Sequence, residues 1–337
     1  MDLTHKKSIL TNGSILLGLR LVIGWTYFSA FWRRLILENK LNPDETGYIG
    51  EKFNHFLPNA LGIKPVIEYL LLNPEALWWA MVIFTIIEAV VGLFIMLGLF
   101  TRLMSAGVFF LALGILLGSG WLGTTCLDEW QIGVLGIACG FSLFLAGGGN
   151  FSLDARIQQK LTLNNPIINV LTQLELRLSD KVSKSIIISG AIFLFGITLY
   201  TNQFFHGGLY GKLHNKSVKP HLEINNARIE SNRLNFDIYR TEGADVYGSF
   251  LIRIGILDQH GKELYALDQD QLKALKAEQI RNKYIARIKP GKHSLVIPLG
   301  AKATIWLYLP AAISDNSNVS LLLTDISGIT WSAPIMK

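Results

Sequence analysis

Five segments of this chain are long and apolar enough to cross the hydrocarbon core of a membrane, which takes about 20 residues of helix. They are residues 13–32, 77–99, 103–123, 130–149 and 185–205. Only 17% of the residues are charged, against about 25% in an ordinary soluble protein. The sequence therefore predicts a multi-pass helical membrane protein and excludes an ordinary soluble enzyme.

The pattern changes after residue 205, where apolar and polar residues alternate with a period of two. Leu234, Phe236 and Ile238 alternate with polar residues, as in a half-buried strand. About six or seven short strands separated by turn signals favour an all-β sandwich, with one helix predicted over 269–283. The predicted organisation is a four-helix membrane domain (1–155), an amphipathic cytoplasmic linker (156–184), a fifth transmembrane helix (185–205) and a β domain (206–337).

The orientation follows from lysine and arginine near the ends of the crossings, which gather on the cytoplasmic side. A cytoplasmic N-terminus places these residues inside: Lys6, Lys7, Arg102, Arg156, Lys160, Arg177, Lys181 and Lys184. It leaves fewer outside: Arg33, Arg34, Lys40, Lys52 and Lys64. Five crossings then predict a protein of the cytoplasmic (inner) membrane whose C-terminal domain is extracytoplasmic.

Two crossings contain a charged residue, Arg20 in the first and Glu88 near the middle of the second. A charge inside a membrane helix is costly unless it is paired or faces a polar cavity, so the sequence predicts that these two pair with each other. Two interpretations remain open. The pair either fixes the register of the helices or forms a proton relay and quinone-binding site.

Three residues are expected at the extracytoplasmic ends of the helices. Cys126 precedes the fourth crossing, and its thiol is either an inert loop cysteine or a reactive group at the mouth of the bundle. Arg33 and Arg34 follow the first crossing. They either snorkel to the interface or bind an oxyanion of sulfur.

Several classes of cofactor and partner have no support in the sequence. The net charge of +6 comes without a basic cluster or a nucleic-acid motif. No histidine lies in a crossing, the two cysteines are too few for a thiolate cluster, and no Gly-rich nucleotide loop occurs. We therefore predict no bound metal, haem or nucleotide and no nucleic-acid partner.

Motifs in the helical part resemble the DoxX superfamily of four-helix membrane proteins. They are LRLVIG at 19–24, EAVVG at 88–92, LGLFTR at 97–102 and GGGNFSLD at 147–154. A longer loop after the first helix and a fused β domain make the chain similar to one branch, DoxD joined to DoxA. In the β domain the similarity rests on residues 249–257 and on KPGK at 289–292 with the strands that follow.

This resemblance implies a thiosulfate:quinone oxidoreductase, which oxidises thiosulfate to tetrathionate and reduces a membrane quinone as its electron acceptor. Given that reaction, the predicted topology leads us to expect a quinone site at Arg20, Glu88 and Tyr27, thiosulfate binding by Arg33 and Arg34, and catalytic roles for Cys126, Glu88 and Arg20. The implied partners are thiosulfate, a membrane quinone and the lipid bilayer, with a second copy of the chain or a terminal oxidase fed by quinol left open. The alternatives are a non-catalytic membrane scaffold whose β domain binds a redox partner, and a small-molecule permease.

Overall fold

The computed structural model describes residues 12–45, 47–123, 128–160, 171–172, 179–244, 249–310 and 318–336. Most of the predicted amphipathic linker lies outside these residues. The chain forms two compact units. The helical unit takes its described residues from Met1–Tyr48, Trp78–Gly120 and Glu129–Lys212, and the β unit from Ile49–Leu77, Trp121–Asp128 and Leu213–Lys337.

Four helices in the described residues are long and apolar enough to cross a membrane. They are α5 (Pro74–Leu97), α6 (Thr101–Ser119), α7 (Glu129–Ala146) and α9 (Asp180–His206). The first predicted crossing is helical but interrupted. It consists of α1 (Asn12–Ile15), α2 (Leu17–Phe31) and a π-helix (Trp32–Leu37). The short helices of the chain are α3 (Glu51–Phe56), α4 (Lys64–Leu72), α8 (Leu153–Lys160) and α10 (Gln269–Lys273).

Small residues let the membrane helices approach closely. Burial of apolar surface does not drive helices together in lipid, so close packing at small residues is common there. A Cβ atom at Gly92 of α5 would lie 2.4 Å from the backbone nitrogen of Phe28 and 2.6 Å from the carbonyl oxygen of Gly24. A Cβ atom at Gly140 of α7 would lie 2.7 Å from the nitrogen of Phe109 in α6. The glycines therefore set the spacing of α2 against α5 and of α6 against α7.

The β unit is an antiparallel sandwich, as predicted. Its four-stranded sheet has the order β1 (His221–Glu230), β2 (Arg233–Glu242), β8 (Lys302–Tyr308), β5 (Ile280–Asn282). The second sheet has the order β10 (Thr330–Pro334), β9 (Ser320–Asp325), β3 (Ser249–Leu257), β7 (Leu295–Ile297), β6 (Lys289–Pro290), with β4 (Glu263–Leu267) also paired to β3. Alternate residues of both sheets, such as Phe236, Ile305 and Leu321, form one buried core.

The helix predicted over 269–283 is too long. Only Gln269–Lys273 is α-helical, and the segment continues as a 3-10 turn (Ala277–Gln279) and strand β5. Asp268 caps the helix through a capping box with Gln271. Residues 280–282 pair with β8, so their backbone groups form hydrogen bonds in the sheet and not within a longer helix.

The segment Ile49–Leu77, called the 49–77 segment below, belongs to the β unit although it precedes α5 in the chain. The side chain of Asn54 is fully buried there. It donates to the carbonyl oxygen of Gly300 (3.2 Å) and accepts from the backbone nitrogen of Ala286 (3.0 Å). Asn59 donates to the carbonyl oxygen of Thr241 at 2.9 Å. Hydrogen bonds to backbone groups of the sandwich thus fix this segment in place.

Candidate functional site

The two charged residues predicted in the crossings do not pair with each other. The buried guanidinium of Arg20 donates to the carbonyl oxygens of Gly148 and Phe151, the latter at 2.7 Å. The carboxylate of Glu88 instead accepts from Arg34 at 2.5 Å. The predicted Arg20–Glu88 pair is therefore wrong, because similar depth in the bundle does not ensure that two helices turn the relevant faces toward each other.

Arg20 is part of a closure at one end of the helical unit. The carboxylate of Asp154 accepts from the backbone nitrogens of Phe100 (2.8 Å) and Thr101 (2.9 Å), which begin α6. Arg102 donates to the carbonyl oxygens of Phe144 and Leu145 at the end of α7. These are groups that helix ends leave without partners. The motifs at 97–102 and 147–154 therefore meet and satisfy the ends of α6 and α7.

Gly98 shows how tightly Arg20 is enclosed. Its φ of 66° lies in the left-handed region, and a Cβ atom there would come within 2.8 Å of the Arg20 guanidinium. The carbonyl partners of Arg20 at this closure give its side chain a structural role. A quinone-binding role for Arg20 stays a prediction.

Arg34 and Glu88 form a separate polar site between the π-helix and α5. Arg34 also donates to the hydroxyl of Thr85 at 3.0 Å, and its guanidinium carbon lies 5.7 Å from the centre of the Phe84 ring. The Glu88 side chain is 6% exposed and that of Arg34 is 13% exposed. Two opposite charges are thus held together away from most solvent.

The π-helix determines where Arg34 lies. The chain continues from α2 as six residues with π-helical hydrogen bonding, WRRLIL. A π-helix has more residues per turn than an α-helix, so it changes the direction in which later side chains leave the axis. Arg34 turns to Glu88, whereas the neighbouring Arg33 is exposed and donates to the carbonyl oxygen of Ser29 at 3.3 Å.

Tyr27 extends the polar site toward the middle of the bundle. It is 5% exposed, packs with Val91 and Val108, and lies near enough to Glu88 and Cys139 to interact with them electrostatically. Together, Tyr27, Arg34, Thr85 and Glu88 are called the Arg34–Glu88 site below. Its hydroxyl and guanidinium groups can donate hydrogen bonds to a carbonyl oxygen, and its carboxylate can hold a proton beside that oxygen.

The structure brings together three of the predicted site residues, Tyr27, Arg34 and Glu88. Arg20 lies elsewhere, and Cys126 lies outside the described residues. Thr85 was missed, although it precedes Glu88 by three residues and so shares its face of an otherwise apolar helix. Among the described residues, no group of histidine, cysteine, aspartate or glutamate could hold a metal ion.

The β unit contains a second polar cluster, where α4 meets the four-stranded sheet. The hydroxyl of Tyr284 donates to Glu68 at 2.6 Å, and the ammonium of Lys283 lies 3.5 Å from the same carboxylate. The hydrogen bond from Tyr284 is the main cause that holds the pKa of Glu68 below its usual range, with Lys283 and Lys302 contributing. Burial raises the pKa of Tyr284 in turn. Both groups therefore keep their ordinary charge state at neutral pH.

Two protein-family models match the chain. The model of TQO small subunit DoxD matches residues 15–179, and the model of TQO small subunit DoxA matches residues 205–334. The chain belongs to the DoxD and DoxA families. TQO is thiosulfate:quinone oxidoreductase, so the chain joins two of its subunit families in one polypeptide, as the resemblance predicted.

The DoxD part includes the whole Arg34–Glu88 site and the closure around Arg20. It also includes the 49–77 segment, which the structure places in one compact unit with the DoxA part. The boundary between the two family models along the sequence is therefore different from the boundary between the two compact units. A TQO-like oxidoreductase role, with a quinone as electron acceptor and the membrane as its location, follows from the families and from the membrane-span helices.

Proposed function

We propose that the chain is a membrane thiosulfate:quinone oxidoreductase. The overall reaction is 2 S₂O₃²⁻ + Q + 2 H⁺ → S₄O₆²⁻ + QH₂. A sulfur–sulfur bond forms between two thiosulfates, and the two electrons released, with two protons, convert the quinone to quinol. Thiosulfate is a dianion that does not enter lipid, whereas a quinone partitions into the bilayer, so the two half-reactions need different surroundings.

The Arg34–Glu88 site is the observation that supports quinone reduction most directly. It places a carboxylate, a guanidinium and a phenol among apolar helices, and Glu88 is 4% exposed as a residue. A quinone needs donors to its carbonyl oxygens and a source of protons as it is reduced. We assign Arg34 and Tyr27 as donors to a quinone carbonyl and Glu88 as the group that passes a proton.

The remaining parts of the proposal concern the sulfur half-reaction and the orientation. We propose the cytoplasmic membrane, a cytoplasmic N-terminus and an extracytoplasmic DoxA part, which the distribution of lysine and arginine favours. Thiosulfate is then oxidised on the extracytoplasmic side. Arg33 remains a candidate for binding it, and Cys126 remains a candidate covalent carrier of sulfur.

Substitution of Glu88 tests the assignment of the quinone site. Glu88→Gln keeps the size and an acceptor for Arg34 but removes the ionisable proton. We expect thiosulfate-dependent reduction of a soluble quinone analogue by the purified protein to fall roughly 100-fold, since a positioned acid or base contributes about 10²–10⁴-fold. Thiosulfate oxidation with a water-soluble one-electron acceptor should fall much less.

The matched control is Glu75→Gln, the same change at an exposed position in the first turn of α5. It should leave both rates unchanged. Unaltered quinone reduction in Glu88→Gln would reduce Glu88 to a structural role. If the wild-type protein produces neither quinol nor tetrathionate, the enzyme proposal fails and the scaffold interpretation replaces it.

A further inference from the structure

The exposed face of the four-stranded sheet carries a group of basic side chains that the proposed quinone chemistry does not use. In β8, Ala303, Ile305 and Leu307 point into the sandwich core, so Lys302 and Thr304 lie on the opposite face. The strand beside it, β5, is at the edge of the sheet. Arg281 and Lys283 are exposed, so a ligand can reach this face from the β5 side.

Strand register brings four of these side chains together. Arg281 of β5 is the antiparallel partner of Thr304 of β8. The backbone nitrogen of Lys283 donates to the carbonyl oxygen of Lys302 at 2.8 Å, which continues the ladder by one residue pair. Opposed side chains are about 5 Å apart and alternate residues about 7 Å apart along a strand. Arg281, Lys283, Lys302 and Thr304 thus occupy the corners of one small rectangle.

The positive charges of Arg281, Lys283 and Lys302 are only partly balanced by the protein. Two carboxylates lie beside the rectangle, Glu68 and Asp237. Glu68 lies 3.5 Å from Lys283 and acts on Lys302 only from a greater distance. The side chain of Arg281 has no hydrogen bond or ion pair, and that of Lys302 no ion pair, with any residue that the structure describes. Like charges on opposed positions of neighbouring strands cost stability. Three cations beside two carboxylates leave a net positive charge, which favours a bound anion.

The acidic residue nearest to the rectangle already has partners. Asp237 accepts from the hydroxyl of Thr304 at 2.6 Å and from the side-chain amide of Asn226 at 2.7 Å. The ammonium of Lys302 lies 5.3 Å from the centre of the Tyr239 ring, a cation–π contact that orients it without a paired carboxylate. The partners of Asp237 are uncharged, so its carboxylate still offsets part of the positive charge. Within the described residues, neither Arg281 nor Lys302 forms an ion pair, and their charge remains available to an anion.

These side chains line a groove of about 470 Å³, near the lower end of the range for small-ligand sites. Six of its seven lining residues have polar or charged side chains: Asp237, Arg281, Asn282, Lys283, Lys302 and Thr304, with Ala303 the seventh. Guanidinium and ammonium groups are the usual partners of small oxyanions, and the groove has no extended apolar wall for a quinone ring. We call it the Arg281–Lys302 groove.

We propose that the Arg281–Lys302 groove binds thiosulfate on the DoxA part of the chain, with Arg281 and Lys302 donating to its sulfonate oxygens. The identity of the ligand rests on the proposed function, but binding can be measured without turnover. The groove replaces Arg34 as the principal site of thiosulfate binding, because the charge of Arg34 is already neutralised by Glu88.

Isothermal titration of the full chain in detergent with thiosulfate, without quinone, tests the groove. Saturable binding is expected for the wild type. The double variant Arg281→Gln/Lys302→Gln should raise Kd at least about tenfold, since it removes two charge-assisted interactions. The control Lys292→Gln removes one exposed charge in the turn between β6 and β7 and should stay within about twofold.

A second titration with sulfate distinguishes thiosulfate from dianions in general, such as sulfate or a lipid phosphate. Weaker binding of sulfate supports a substrate site. Equal affinity for sulfate, no saturable binding by the wild type, or an unchanged Kd in the double variant would each overturn the proposal. Turnover is measured separately. If thiosulfate binding depends on Arg281 and Lys302 but no quinone is reduced, the groove is a binding site and the proposed enzyme activity is rejected. If turnover is normal and the double variant leaves the Kd unchanged, the enzyme activity stands and the groove is rejected.

Discussion

Arg20 and Arg34 have the same side chain, but their partners give them different roles. Arg20 donates to backbone carbonyl oxygens, which cannot take up or release a proton at neutral pH. Arg34 donates to a carboxylate, which can. Both sites satisfy a buried cation, as any membrane bundle requires. Among the hydrogen-bond acceptors of these two arginines, only Glu88 can change its protonation during a reaction.

Glu68 and Tyr284 allow a prediction at the level of single residues. Since the pKa of Glu68 is lowered in the folded chain, its contribution to stability is complete above its ordinary pKa of 4.5 and is lost as the pH falls through the folded pKa. Tyr284→Phe removes the main cause of that shift. We expect it to lower the melting temperature of the β unit by roughly 1–3 °C at pH 7 and by less at pH 3.

Thermal unfolding of the full chain at both pH values measures this difference. Tyr308→Phe is the control, because the Tyr308 side chain is 70% exposed and has no hydrogen bond within the described part of the chain. The carboxylate of Glu68 is well exposed, with 40% of its side chain accessible, so the effect should be small and reduced by salt. An equal loss at pH 7 and pH 3 would contradict the assigned cause.

At the level of elements, the sequence predicts the crossings and the strands better than it predicts the faces that meet. Hydropathy locates α5, α6, α7 and α9, and period two locates the strands around Phe236 and Ile305. The Arg20–Glu88 error arises because the rotation of a helix about its axis depends on contacts such as Gly24 with Gly92, which hydropathy does not contain. The π-helix that turns Arg34 toward Glu88 has no comparable signal in its sequence, WRRLIL.

The close contact of α2 with α5 predicts that one added methyl group at Gly92 destabilises the bundle. In Gly92→Ala, the new Cβ atom would lie 2.4 Å from the Phe28 nitrogen, so the two helices must move apart. We expect the free energy of unfolding to fall by roughly 1–3 kcal/mol or more, as when extra atoms are forced into other well-packed interiors. The spacing that holds Arg34 against Glu88 should widen, and quinone reduction should fall with it.

Gly114→Ala is the matched control, because α6 has open space around Gly114 with no atom within 4 Å of the added Cβ atom. Alanine favours helix over glycine, so this variant should be neutral or more stable by up to about 1 kcal/mol. Thermal unfolding in detergent compares the two variants. The same melting temperature for both would show that the close contact at Gly92 does not set the packing.

At the level of the whole molecule, the compact units cut across the order of the chain. The β unit needs the 49–77 segment, because Asn54 satisfies buried backbone groups of Ala286 and Gly300. Gly300 has a φ of 73°, which side chains disfavour. It also approaches Asn54 so closely that a Cβ atom would lie 1.7 Å from the Asn54 carbonyl oxygen, which excludes a side chain. We therefore expect the DoxA part alone to be less stable than the β unit of the full chain.

An excised fragment of residues 213–337 tests this dependence. It should unfold at a lower temperature than the β unit of the full chain, because each buried backbone group left without a partner costs about 1–3 kcal/mol. A peptide of residues 49–77 should raise its melting temperature by binding the folded form. The same peptide with Asn54→Ala should have a much smaller effect, and an equal effect would contradict the role of Asn54.

The 49–77 segment also has a consequence for synthesis of the chain. Its side chains Leu57, Ile67 and Leu71 are buried in the finished protein, yet the last strand of their unit, β10, ends only at Pro334. At ordinary rates of translation, the ribosome needs roughly 10 to 50 s to add the intervening residues. During that interval the apolar side chains of the segment lack the strands against which they are finally buried. A cell that makes this chain therefore has to shield a nascent segment until the distant strands arrive.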